Sequence, residues 1–144
     1  MMNMALSYRI AIINRSGRAL ENVSIEADLG TAHADQPVDK QIASAAVALP
    51  PRHTVARIAP GERLELEGEI AVPLSSIRVI RQGRAVVAVP LFRLRAVVED
   101  RDPLAKTWVV GRNNPQASGR LLPFRMDDTP QTYRSLSANL LEHQ

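Results

Sequence analysis

Apolar side chains recur at every second position in several stretches of the chain, and this alternation constrains the fold more than any other feature. The pattern runs through residues 6–13, 19–29 and 63–70. A β-strand turns successive side chains to opposite faces, so a period of two predicts strands with one buried and one wet face. In the first two stretches the apolar positions are Leu6, Tyr8, Ile10 and Ile12, then Val23, Ile25, Ala27 and Leu29.

Turn residues separate these stretches where the chain must reverse. Residues 14–17 read Asn-Arg-Ser-Gly, residues 60–61 read Pro-Gly, and residues 81–84 read Arg-Gln-Gly-Arg. Gly, Pro and Asn favour turns at such positions, and the third group predicts a hairpin tip. About seven or eight short strands result, which is typical of a two-sheet sandwich. We therefore predict an all-β, immunoglobulin-like antiparallel β-sandwich.

The alternation stops between residues 30 and 51. Pro37 suits the first turn of a helix, residues 38–46 are rich in alanine, and a Leu-Pro-Pro sequence at 49–51 ends the segment. This pattern favours one short helix or an irregular crossover between the second and third strands.

The length of 144 residues suits one domain with its own core. We expect the sandwich to occupy residues 1–128, with a tail over residues 129–144 that is partly docked, as a helix, or disordered. The chain has no cysteine, which excludes disulfides and thiolate metal sites. Aromatic residues make up only 3% of the chain, so Val, Ile, Leu and Ala must build most of the core, with Trp108 placed there too.

Residues suited to metal binding are scattered. His33, His53 and His143 lack the spacing of a metal site, and the acidic groups at 99–102 and 127–128 lack the ligand pattern of a calcium loop. We therefore predict no metal site and no cofactor.

Three glutamates, Glu65, Glu67 and Glu69, share one face of a predicted strand. Like charges at this spacing require either water or arginines from a neighbouring strand. Glycoside hydrolysis by such carboxylates needs a sugar platform, typically aromatic, and the chain is poor in aromatic residues. No nucleophile elbow or phosphate-binding loop is present either. The sequence predicts no catalytic residues and a protein that is not an enzyme.

Five arginines form the predicted interaction surface, around the hairpin tip and along one face of the strand after it. The alternative is that the last two face the glutamate row of a neighbouring strand. A second candidate surface is an unpaired strand edge around Pro90, because proline cannot donate a hydrogen bond to a sheet. The five arginines are Arg78, Arg81, Arg84, Arg93 and Arg95.

The net charge of +3 is small for a nucleic-acid-binding domain. Such surfaces interleave basic residues with stacking aromatics or present a motif fold, and neither is found here. We therefore argue against nucleic acid. An acidic protein partner or an anionic lipid surface suits the arginines better, since each basic residue near a charged leaflet contributes about 1 kcal/mol.

Two resemblances rest on specific residues. Residues 12–25 (IINRSGRALENVSI) and 58–62 (IAPGE) resemble the CARDB and DUF11-type immunoglobulin-like domains, which share an Asn-x-Gly turn and a later Pro-Gly-Glu turn. The second half of the chain resembles the soluble domain of uncharacterised proteobacterial proteins. The resemblance lies in residues 77–90, 108–112 (WVVGR), 119–127 (GRLLPFRMD) and 130–134 (PQTYR). Those proteins carry an N-terminal membrane anchor and a Pro-rich linker, so the second resemblance implies tethering to the inner membrane.

Together these features predict a non-catalytic protein-interaction or scaffolding module on the cytoplasmic side, with an unidentified protein partner. No apolar run is long enough to span a membrane and no signal peptide opens the chain. The alternative is a carbohydrate-binding module or an accessory domain of an enzyme. That reading requires two or three exposed aromatic residues on one face, for which Trp108 and the two tyrosines are the candidates.

Overall fold

The computed structural model describes residues 3–33, 35–113, 121–126 and 136–141. Within them the chain is almost entirely strand, with a single-turn helix α1 (Val38–Gln41) and a 3-10 turn (Leu74–Ser76). The strands are β1 (Asn3–Ile13), β2 (Leu20–Thr31), β3 (Pro51–Ile58), β4 (Arg63–Pro73), β5 (Ile80–Gln82), β6 (Ala85–Ala88), β7 (Pro90–Val97), β8 (Leu104–Asn113), β9 (Leu121–Leu122), β10 (Phe124–Arg125) and β11 (Leu136–Leu141).

The strands form three antiparallel sheets. A large sheet has the order β11-β8-β7-β2-β3, with β9 beside β8, and a small sheet consists of β1 and β4. A third sheet has the order β10-β6-β5. The predicted all-β antiparallel sandwich is confirmed. The described residues contain more strands than the seven or eight expected, because the segment around the 81–84 turn and residues 121–125 add short pairings that have too few residues to show alternation.

The core lies between the large sheet and the β1–β4 pair. Alternate residues of β2 are fully buried, as the period of two requires. The facing residues of β1 pack on them but remain only half-buried. The buried apolar side chains of this cluster are Val23, Ile25, Ala27, Leu29, Ile58, Ile70, Phe92, Leu94 and Val110.

Asn14 joins two turns at one end of the sandwich. Its amide nitrogen donates to the carbonyls of Arg18 and Ile58, each at 2.9 Å, and its amide oxygen accepts from the backbone N–H and the hydroxyl of Ser16. Its backbone carbonyl accepts from Gly61 at 2.7 Å, and Gly61 has the positive φ of +78° that this tight turn requires. The Asn-Arg-Ser-Gly and Pro-Gly turns are therefore one connected corner.

The crossover between β2 and β3 contains both expected features, the short helix and an irregular stretch. After α1 the chain lies across the outer face of the large sheet. There the N–H of Ala43 donates to the Thr107 hydroxyl at 2.8 Å, and the Arg95 guanidinium donates to the carbonyl of Ala45. This cover explains why Thr107, an outward-facing residue of β8, is buried.

Two expectations about the C-terminal half need correction. Pro90 does not mark a free edge: it is buried and is the first residue of β7, which lies in the large sheet between β2 and β8. The first position of a strand tolerates proline because the ladder has barely begun. Residues 136–141 of the expected tail are docked, but as strand β11 paired with β8 rather than as a helix. Residues 127–135 and 142–144 lie outside the described residues.

Candidate interaction site

The β1–β4 pair covers only part of the large sheet. Strand β4 lies against β2 and β3, and β1 continues the cover toward β7. No further strand pairs with the other edge of β1 among the described residues. A cleft of about 910 Å³ therefore lies between this free edge and the inner face of the large sheet.

The floor of the cleft consists of inward-facing residues from three strands of the large sheet. The register pairs Phe92 with Trp108 and Leu94 with Lys106, so alternate residues of β7 and β8 share this face. Ala138 of β11 lies opposite Val110 and extends the floor. Floor residues from these three strands are Phe92, Leu94, Ala96, Lys106, Trp108, Val110, Leu136 and Ala138.

Large apolar side chains remain exposed where the second layer is missing. Leu104 at the start of β8 is 53% exposed, and Leu140 at the end of β11 is 40% exposed. Leu140 pairs with Trp108 and thus lies on the inner face of the large sheet.

Aromatic rings form the deep side of the cleft. Tyr8 of β1 packs on Phe92 with ring centroids 5.2 Å apart, and Phe92 packs on Trp108 at 5.8 Å. The Tyr8 hydroxyl makes a 2.7 Å hydrogen bond with Nε2 of His53. Burial raises the pKa of Tyr8, and the nearby positive charge of Arg52 offsets part of that rise. The predicted inclusion of Trp108 in the core is therefore confirmed in part: it packs on the core but also lines the cleft.

Four charged residues border the cleft. Arg9 is neutralised by Glu67 at 2.7 Å, and Arg101 donates to the hydroxyl of Ser16 at 3.1 Å. Asp102 lies in the turn before β8, at the rim. Lys106 differs from the others because it lies within the apolar floor, and its ammonium group makes no hydrogen bond or ion pair with any described residue.

Two of the five predicted arginines lie on the outer face of the large sheet, away from the cleft. Both nitrogens of the Arg93 fork bind Asp28, and Arg95 binds Glu26 at 3.0 Å. Side chains of the second pair are only 16% and 13% exposed. Burial raises the pKa of Glu26, but the Leu49 N–H and the Arg95 guanidinium outweigh it and hold that pKa below its usual range.

The acidic partners come from β2, not from the glutamate row on β4. In that row, Glu67 pairs with Arg9 and Glu65 pairs with Arg63 at 2.6 Å. The hydrogen bond and charge of Arg63 hold the pKa of Glu65 below its usual range. The expectation that this face is wet or meets a neighbour's arginine is thus confirmed, because the glutamates are exposed and Arg9 belongs to the adjacent strand.

The other three predicted arginines lie around the β5–β6 hairpin. Arg78, Arg81 and Arg84 are all exposed, and the turn at 83–84 is the predicted hairpin tip. Gly83 has the positive φ of +63° that the turn requires. The structure therefore separates the five arginines into an exposed hairpin group and an ion-paired group. Their role in binding stays a prediction.

The histidines lie apart. Nδ1 of His33 is 3.0 Å from a carboxylate oxygen of Asp35, and this hydrogen bond holds the pKa of Asp35 below its usual range. His53 binds Tyr8, while His143 lies outside the described residues. Within the described ranges, no three His, Asp or Glu side chains lie close enough together to hold a metal ion.

The free edge of β1 and the cleft beside it were missed from the sequence. Alternation over residues 6–13 shows that β1 has an apolar face, but not how much of it a second layer covers. One available signal was Lys106, which interrupts the apolar alternation of Leu104, Trp108 and Val110. A lysine on an inner face indicates that the face is open to solvent at that point.

Comparisons of the chain with protein-family models, with curated proteins and with solved structures give no match. The resemblance to the CARDB and DUF11-type domains and to the anchored proteobacterial proteins therefore stays a prediction. In the part of the chain that the structure describes, no helix has the length and apolar character needed to cross a membrane.

Proposed function

We propose that this chain is a non-catalytic interaction module whose incomplete sandwich receives an extended segment of a partner protein. The segment pairs with the free edge of β1 and places alternate side chains on the floor formed by β7, β8 and β11. The observation that carries the proposal is the juxtaposition of a large apolar cleft with an eleven-residue strand edge that no described strand pairs with.

The chemistry of the two surfaces that border the cleft, the free edge of β1 and the apolar floor, favours a polypeptide as the occupant. An unpaired strand edge presents backbone N–H and C=O groups that another extended backbone satisfies, and pockets beside the edge select alternate side chains. The free edges of β4 and β3 offer the first feature without the second. Among the described strands with an unpaired edge, β1 and β11 border the cleft, and β1 is the longer, with 11 residues against 6. A segment of up to 11 residues, about 36 Å long when extended, matches the length of β1.

A second copy of the folded chain does not fit this position. The large sheet continues beneath the cleft beyond the edge of β1. A symmetric pairing of two β1 edges would bring the large sheet of the second copy into the same space. The occupant is therefore a strand that enters without a second layer of its own, as an unstructured segment or a terminus does.

The carbohydrate-binding alternative receives less support. Tyr8, Phe92 and Trp108 pack on one another along the side of the core instead of forming an exposed flat platform. A ligand recognised mainly by sugar stacking would leave the backbone edge of β1 unused.

The test is retention of peptides from a displayed random 12-residue library on the immobilised protein. Ala138→Trp is the blocking variant, because Ala138 is exposed on the floor and a bulky ring there fills the cleft without displacing packed atoms. Ala56→Trp, at an exposed position of β3, is the matched control. We expect wild type and Ala56→Trp to enrich peptides with alternating apolar residues, and Ala138→Trp to enrich none. Equal enrichment by all three proteins would contradict the proposal.

The exposed hairpin arginines support a second contact, with an acidic surface. Arg81 and Arg84 make no ion pair with another described residue, and Val79 beside them is 49% exposed. An anionic bilayer suits such a basic, partly apolar hairpin and agrees with the tethering that the resemblance implies. Sedimentation with vesicles containing 30% phosphatidylserine should retain the wild type and release Arg81→Ser/Arg84→Ser. Equal sedimentation of both proteins would remove this contact.

A further inference from the structure

We infer that Lys106 selects a partner segment that carries an aspartate or glutamate on its inward-facing side. This inference rests on the proposed function, because it concerns the chemistry of the strand that enters the cleft. Lys106 is one of only two lysines in the chain, and the register places it on the inner face of β8 opposite Leu94.

No carboxylate of the described residues forms an ion pair with Lys106. Leu104 and Trp108 flank it at the positions two residues away on the same face, and Leu94 lies beside it on β7. Asp102 is the single acidic residue that lines the cleft among those described, and it lies at the rim with no ion pair to Lys106. In the open cleft the ammonium group remains hydrated.

Closing the cleft changes this situation. A strand laid across the floor removes water from Lys106, and burying an unpaired charge is strongly unfavourable. An apolar residue above Lys106 would therefore oppose binding, whereas a carboxylate there converts the cost into a charge-assisted hydrogen bond. The favoured segment alternates apolar residues with one acidic residue on the same face.

The same argument weighs against the protein's own edge strand as the occupant. Residues 3–13 contain one arginine and no acidic residue, so a second β1 would leave Lys106 unpaired. A long-chain carboxylate would neutralise Lys106 but would leave the backbone of β1 without a partner. Only an acidic peptide supplies both a backbone partner for the edge of β1 and a carboxylate for Lys106.

The test compares selections from the same random 12-residue library by wild type, Lys106→Glu and Lys106→Met. The control is Lys40→Glu, which makes the same charge change at the exposed end of α1. Wild type and Lys40→Glu should enrich an acidic residue at one position among alternating apolar residues. Lys106→Glu should enrich Lys or Arg at that position, and Lys106→Met should enrich neither charge.

Synthetic peptides then give the size of the effect. We expect the wild type to bind a selected Glu peptide about tenfold or more tightly than its Gln counterpart, and Lys106→Glu to lose that preference. Peptides enriched without any acidic preference would overturn the role of Lys106 and leave the proposed function standing. Enrichment of no peptide, or binding of palmitate with no peptide, would overturn both. Circular dichroism of each variant confirms that the fold is retained.

Discussion

Replacing Asn14 with alanine tests how the two turns at one end of the sandwich are joined. Asn14 is 1% exposed and its side chain makes four hydrogen bonds. The bond to the carbonyl of Ile58 is buried, so its loss costs about 1–3 kcal/mol. The three bonds to Ser16 and Arg18 are only partly buried and cost about 0.5 kcal/mol each. Asn14→Ala should therefore lower the free energy of unfolding by about 3 kcal/mol and the Tm by about 10 °C.

Urea unfolding followed by circular dichroism and by Trp108 fluorescence measures this change. The dependence of the free energy on urea should stay the same, because the surface exposed on unfolding hardly changes. Ser16→Ala is the control: it removes the hydroxyl contacts with Asn14, Arg18 and Arg101 but leaves the buried bond to Ile58, so its cost should stay below about 1.5 kcal/mol. If Asn14→Ala unfolded at the same urea concentration as Ser16→Ala, the buried corner would not carry the stability assigned to it.

Three further changes test other parts of the account. Arg95→Met leaves the largely buried carboxylate of Glu26 without its charged partner and should lower the free energy of chemical unfolding by about 3 kcal/mol. The control Arg81→Met should change it by no more than about 0.5 kcal/mol. Equal losses in the two variants would refute the ion-pair argument. Because the pKa of Glu26 lies below its usual range, the ionised carboxylate stabilises the folded protein, and protonation at low pH removes this stabilisation. Between about pH 5 and pH 3 the wild type should therefore lose more free energy of unfolding than Glu26→Gln. Parallel stability profiles of these two proteins would be inconsistent with that shift. Gly68→Ala would place a methyl group against the Tyr8 hydroxyl, closer than van der Waals contact allows, and should lower the free energy of unfolding by about 1–3 kcal/mol. An unchanged urea midpoint would show that Tyr8 moves freely.

The arginine results show why an interaction surface is hard to read from sequence. Alternation correctly predicted that Arg93 and Arg95 share a face, since a strand fixes that by its period of two. It could not show that β2 lies next to β7, because strand order depends on long-range pairing. Asp28 and Glu26 therefore appeared as ordinary polar positions of a separate strand. A variant that removed Arg93 and Arg95 together with the hairpin arginines would mix loss of stability with loss of binding.

The fold was predicted better than the site for a related reason. Apolar alternation in β1 and β2 and the turn residues at 14–17 and 60–61 are local signals, and each appears where it was expected. The cleft arises instead from a mismatch in sheet width, with two strands facing five. No single stretch of residues encodes that mismatch. Pro90 shows the opposite error, because a local rule about proline was applied without knowing that the strand began at that residue.

Amide hydrogen exchange along β1 tests the central claim most directly. In an antiparallel pair, N–H groups point alternately toward the partner strand and away from it. If the β1 edge is open, every second amide in residues 3–13 should exchange rapidly in dilute protein, while those facing β4 stay protected. A selected peptide should then protect the rapid set. Uniform protection along β1 in the free protein would contradict the account, because it would show that this edge is already paired.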